Sequence, residues 1–166
     1  MSVRDDIVNA GLDWSRPGSY KPSAGELVSF FSDAGTEQVP SQDEAQKSLD
    51  SLVTGCYVGG AVKQWCGIFA CSVAANAGLN VKWTLVSGQI IGTPVKKIWG
   101  NSGMQPGDIA VIAHYNHHFI IIDVYSSESD SNTQLVSTVE GNTSGQLIRE
   151  NVRNASEIVA YYQIQP

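Results

Sequence analysis

Positive charge is scarce in this chain. Ten Lys and Arg stand against sixteen Asp and Glu over 166 residues, a net charge of −6. No basic cluster is longer than Lys96-Lys97. Nucleic acids and anionic membrane surfaces want a basic footprint, so neither is expected as a partner. Long apolar runs are also missing. Nothing approaches the roughly 20 residues of a membrane span. Met1-Ser2-Val3-Arg4-Asp5-Asp6 carries charge without the apolar stretch of a secretory signal. The three cysteines, an odd number with no C-x-x-C pair, form no disulfide framework. Cys56 with Cys71 is the one pairing to consider in an oxidising compartment, and it would leave Cys66 free. Low-complexity tracts and internal repeats are absent, and the length suits one domain with a sizeable core.

What is present begins with Cys66. Gly55-Cys56-Tyr57-Val58-Gly59-Gly60 has no helical period and reads as a loop. From Trp65 to Ala77 the residues are small, apolar or weakly polar, and Gly78 stops them as a helix cap. Cys66 therefore sits in the first turn of a buried helix. Unpaired N–H groups and the positive end of the helix dipole there favour a thiolate, the nucleophilic form. The competing reading is a buried structural thiol. Cys71 lies about 140° away around the helix and reads as core packing.

All three histidines fall in His114-Tyr115-Asn116-His117-His118, and the run Phe119 to Val124 reads as a buried strand entered at His118. Before it, Gln105-Pro106-Gly107-Asp108 is a turn and Ile109-Ala110-Val111-Ile112 a short strand. After it, Gln134 to Glu140 reads as a third strand ending at Gly141-Asn142-Thr143-Ser144-Gly145. Alternation puts Glu140 and Asn142 on one side if the chain stays extended. It puts His118 with Ile120 and Ile122, and His117 with Phe119 and Ile121. A thiol at a helix start, an imidazole at a strand entry and a carboxylate or amide on a neighbouring strand are the parts of a thiol hydrolase. The histidines and a cysteine are also zinc-ligand types, but a loop entering a strand points His117 and His118 apart. No metal or other cofactor is expected.

These residues resemble the CHAP family, cysteine- and histidine-dependent amidohydrolases and peptidases of papain-like fold that cut bacterial cell walls. The resemblance covers about residues 55 to 165. It rests on Trp65-Cys66-Gly67, Pro106-Gly107-Asp108-Ile109-Ala110-Val111, His118-Phe119-Ile120-Ile121-Ile122 and Val139-Glu140-Gly141-Asn142-Thr143, in the family's order. It implies Cys66 as nucleophile, His118 as base, and Glu140 with Asn142 as the orienting group, Glu140 foremost. The backbone N–H of Cys66 would form part of an oxyanion hole, with Gln64 a weaker candidate donor. Where the family commonly has small residues after the histidine, this chain has Phe119 and Ile120, whose bulk would narrow the cleft.

The expected fold is α+β: a papain-like domain over residues 1–166, with a helical part over 1–54 and the Cys66 helix and antiparallel sheet over 55–166. Ser23 with Glu26 and Ser41 with Glu44 are capping boxes ahead of helices reaching Phe31 and Val53. Residues 80–104 read as a long connection in which Trp83 and Trp99 belong either to the cleft or to the core. Glu157 to Ile164 reads as a closing strand. The expected activity is cleavage of peptidoglycan by a cysteine amidase or endopeptidase, as an antibacterial effector or phage-type lysin. The protein would be made in the cytoplasm and act in the periplasm or on the wall after non-classical export. The partners would be the peptidoglycan peptide and a cognate immunity or inhibitor protein. The alternatives are a papain-like enzyme acting on a protein, as protease, deamidase or acyltransferase, and a catalytically silent binding domain.

Overall fold

Three serines start three helices. Ser2, Ser23 and Ser41 each cap the backbone N–H of a residue three positions on, and Asp5, Glu26 and Glu44 cap them in return. In the computed structural model, which describes residues 1–16 and 18–165 and only the backbone of Tyr115, these helices are α1 (Val3–Ser15), α2 (Ala24–Asp33) and α3 (Gln42–Asp50). The first is an element that the sequence reading did not predict. The third stops at Asp50, three residues short of the expected Val53, with Ser51 as an extended C-cap. The fourth, α4 (Cys66–Asn76), starts and ends as expected, and Gly78 follows with φ 96°.

Among the described residues the strands form one seven-stranded antiparallel sheet and two small hairpins. In chain order they are β1 (Ser19–Tyr20), β2 (Cys56–Val58), β3 (Ala61–Lys63), β4 (Lys82–Thr84), β5 (Gln89–Ile91), β6 (Val95–Trp99), β7 (Ile109–Ile112), β8 (His117–Ser126), β9 (Gln134–Thr143), β10 (Leu147–Asn154) and β11 (Ile158–Ile164). The sheet order is β1-β10-β9-β8-β7-β11-β6. This is the α+β class expected. The stretch read as loop at 55–60 is instead part of the β2–β3 hairpin, because Gly59 and Gly60 both take positive φ and turn the chain tightly. The long connection over 80–104 likewise holds the β4–β5 hairpin and the edge strand β6. Trp83 is buried, and Trp99 is 76 % exposed on that edge.

Helices cover one face of the sheet. α4 packs on β8 and β9, and α2 packs on α3 and α4. The larger core joins Phe30, Phe69 and Ile68 to Ile120, Val139 and Ile109. A smaller core on the other face gathers Phe119, Ile121, Ala110 and Tyr161. Alternation along β8 therefore sends Ile120 and His118 towards the helices and Phe119 and His117 away, the phase expected. β9 runs close under α4 because it carries Gly141: a Cβ there would lie 2.8 Å from the Trp65 ring and 2.9 Å from Phe69 Cβ. Among the described residues no helix is long and apolar enough to cross a membrane.

Candidate active site

Among the described residues, α4 alone of four α-helices has no side-chain cap. Its first residue is Cys66, so first-turn N–H groups are left to interact with a thiolate or with an anion beside it. Cys66 is only 4 % exposed. It lies at the entry of β8, where both histidines reach it. Burial pushes the thiol up, but hydrogen bonds and charge from His117 and His118 outweigh that and bring it down to about 6. Cys71 on the same helix has only burial and rises to about 12, and buried Cys56 rises to about 11. All three cysteines are free.

The two imidazoles are held differently. His117 Nε2 donates to Glu140 Oε2 at 2.9 Å, which leaves Nδ1 for the sulfur. Burial would lower its pKa, but hydrogen bonds to Cys66 and Glu140 raise it to about 9. Below about 9 and above about 6 the pair is therefore thiolate and imidazolium. His118 is 1 % exposed, meets the edge of Trp83 and stacks on Tyr162. Its Nδ1 lies 2.8 Å from the Asn116 carbonyl, an oxygen that can only accept, so Nδ1 carries the proton.

Glu140 thus partners His117, not His118 as the sequence reading had it. The cause is register. Val139 lies opposite Ile120 on the helix side of the sheet, so Glu140 falls on the other face with Phe119 and His117. The carboxylate is gripped by four donors: His117, Arg153 Nε at 2.6 Å and Nη2 at 2.8 Å, and Thr138 Oγ1 at 2.7 Å. Burial opposes ionisation, but these bonds hold its pKa at about 2.

Asn142 does not serve as an orienter either. It takes φ 54°, which breaks the extended course on which that expectation rested. Its Nδ2 donates to Gln64 Oε1 at 2.6 Å, while Gln64 Nε2 donates to the Thr54 carbonyl at 2.6 Å. Gln64 is therefore anchored beside Cys66, with one further N–H to offer.

Two openings meet at Cys66 and Gln64. The larger, about 630 Å³, is lined by His114, His117, Glu140, Asn142, Arg149 and Arg153 among others. The smaller, about 160 Å³, is lined by His118, Trp83, Lys63 and Leu85. Phe119 and Ile120, expected to narrow the cleft, are buried and line neither. Trp83 can close over the helix start because residue 67 is glycine: a Cβ there would lie 2.1 Å from its ring. Among the described residues no group of three or more His, Cys, Asp or Glu side chains is arranged to hold a metal ion.

Arg153 escaped the sequence reading, as did its whole strand β10. Leu147-Ile148-Arg149-Glu150-Asn151-Val152-Arg153-Asn154 has few apolar residues, and only the short turn Ser144-Gly145-Gln146 hinted at a hairpin. No family model, no curated protein and no solved structure matches this chain.

Proposed function

We propose that this protein is a cysteine amidase or endopeptidase of papain-like design that cleaves peptide amides of the bacterial cell wall. One observation carries the hydrolase reading: an acidified thiol at an uncapped helix start, against an imidazole held by a buried carboxylate. A helix carrying the nucleophile against an antiparallel sheet that carries base and orienter is the papain-like arrangement. The wall substrate is supported by the sequence resemblance to the CHAP family.

In this mechanism the Cys66 thiolate adds to the amide carbonyl. The oxyanion is met by the Cys66 backbone N–H and the remaining Gln64 N–H. His117, as imidazolium, protonates the leaving amine, and a thioester remains on Cys66. Neutral His117 then takes a proton from water, which attacks the thioester, and the thiolate returns with the carboxylic acid released. Glu140 keeps His117 in the reactive orientation and stabilises its charge. His118, tied through Nδ1 to the Asn116 carbonyl, packs beside the sulfur and helps fix its position.

The test is digestion of purified peptidoglycan with fragments identified by mass spectrometry. Wild type releases new peptide termini and Cys66→Ala releases none. His117→Ala lowers the rate about 10²- to 10⁴-fold, and His118→Ala lowers it less. The reverse order would return the base role to His118. Turnover of protein substrates with intact sacculi would move the enzyme to the protein-modifying class.

A further inference from the structure

We propose that the larger arm of the cleft is a subsite for a carboxylate-bearing peptide, with Arg149 binding the carboxylate and Asn142 accepting a peptide N–H. The inference rests on the hydrolase reading and names the substrate class it takes.

Arg149 stands directly opposite Glu140 in the β9–β10 ladder and lines the cleft half-buried. A cation beside a carboxylate would ordinarily pair with it. Here Glu140 is already taken by His117, Thr138 and the fork of Arg153, and Arg153 also lies 4.0 Å from Glu157. Among the described residues the Arg149 side chain makes no hydrogen bond or ion pair. In a chain of net charge −6, an arginine left unpaired at a reactive thiol is a binding group. Its planar fork suits a carboxylate bidentately.

Asn142 provides the second, independent sign. Thr54 offers a carbonyl, so Gln64 must point its amide nitrogen there and its oxygen at Asn142 Nδ2. That orients Asn142 without freedom to flip. Its Oδ1 is left buried with no partner, in a side chain 6 % exposed that lines the same arm. A buried acceptor without a donor is rare and calls for a ligand that donates. A peptide bearing an acidic side chain or terminus supplies both groups, an N–H for Asn142 and a carboxylate for Arg149. Arg149 is two strands from His117, roughly 10 Å, so the carboxylate sits within about three extended residues of the scissile amide.

The experiment measures protection of Cys66 from alkylation by iodoacetamide. The competitors are acetylated, amidated tri-alanine peptides carrying Glu or its uncharged twin Gln at each position, in L and D forms. For wild type at least one Glu peptide protects at about 10-fold lower concentration than its Gln twin. Arg149→Gln abolishes that difference and Arg149→Lys restores part of it, each normalised to its own unprotected alkylation rate. Asn142→Gly, which keeps the positive φ accessible, weakens both twins alike. Equal protection by Glu and Gln in wild type, or a preference that survives Arg149→Gln, overturns the subsite while fast alkylation of Cys66 upholds the hydrolase. A Cys66 no more reactive than Cys56 and Cys71 overturns the hydrolase reading itself.

Discussion

Two buried carboxylates in this protein are each gripped by an arginine, and they do opposite things. Asp108 takes Arg4 at 2.7 Å and the backbone N–H groups of Gln105 and Ile164, each at 2.9 Å. It thereby clamps the N-terminal helix α1 to the last strand β11, and Arg4 also donates to the Pro106 and Ile164 carbonyls. Glu140 takes Arg153 in a two-point fork, plus Thr138, and spends its last bond on His117. Burial wins at Asp108 and raises its pKa, whereas at Glu140 the donors win and hold it at about 2. A paired buried carboxylate is therefore no functional signal by itself. The signal is a carboxylate so firmly ionised that it can lend charge to a third group, here an imidazole touching a thiol.

Removing the carboxylates separates the two roles most sharply. Glu140→Gln and Asp108→Asn each leave a half-buried arginine without its anionic partner, a loss of about 2–3 kcal/mol because the arginine keeps some contact with water, readable by urea unfolding. Only Glu140→Gln lowers the rate of folded enzyme, by about 10²-fold or more. Equal rate losses in both variants would dissolve the distinction.

The arginines give a smaller version of the same contrast. Arg153→Met leaves Glu140 bonded to His117 and Thr138 but takes away its fork. The expected rate loss is about 10-fold, one to two charged hydrogen bonds' worth of positioning, and the acid limb of the pH–rate profile moves. Arg4→Met lowers the melting temperature and leaves kcat and the profile in place. A profile unmoved by Arg153→Met would make Arg153 a structural ligand only.

The smallest effect is in acid stability, where the signs are opposed. Glu140 falls from 4.5 unfolded to about 2 folded. Its contribution is present above 4.5 and lost as pH falls through about 2. That amounts to about 1 kcal/mol lost between pH 6 and pH 4. Asp108 is raised on folding, so its contribution is full below its ordinary value and lost as pH rises through the folded one. Urea unfolding at pH 6 and pH 4 should show Glu140→Gln flattening the acid loss and Asp108→Asn steepening it. Both variants shifting the same way would contradict the assigned directions.

Much of the frame was legible because it is written locally. Ser23 with Glu26 and Ser41 with Glu44 start helices by their own hydrogen bonds. The uncharged run after Trp65 makes α4 a buried helix, and Cys66 heads it whatever surrounds it. The apolar run after His118 makes a central strand, and period-2 alternation put His117 and His118 on opposite faces of β8. The set Cys66, His118, Glu140 and Asn142 does converge on one cleft system, and His117 joins them there.

What the tertiary structure alone decided is how those residues pair. The Asp130–Thr133 turn sets the register at the hairpin end of the β8–β9 pair, and a bulge between Ile121 and Asp123 then shifts it by one residue, so that Val139 and not Glu140 lies opposite Ile120 and faces the helix. That one-residue phase handed the carboxylate to His117. Arg153 and Arg149 joined the site from a strand with almost no apolar signal, ordered by its ladder with β9 rather than by its own propensity. Gln146 is the same lesson in the interior. Its amide binds the Trp65 ring N–H and reaches three carbonyls, of Ser48, Val53 and Gly55, a junction that no local pattern announces. Sequence by itself determined the capped helix starts, the alternation along β8 and the place of Cys66 at a helix start, because caps and alternation act over a few residues. Register, face and partner were left to the fold, because they are set by which distant surfaces pack.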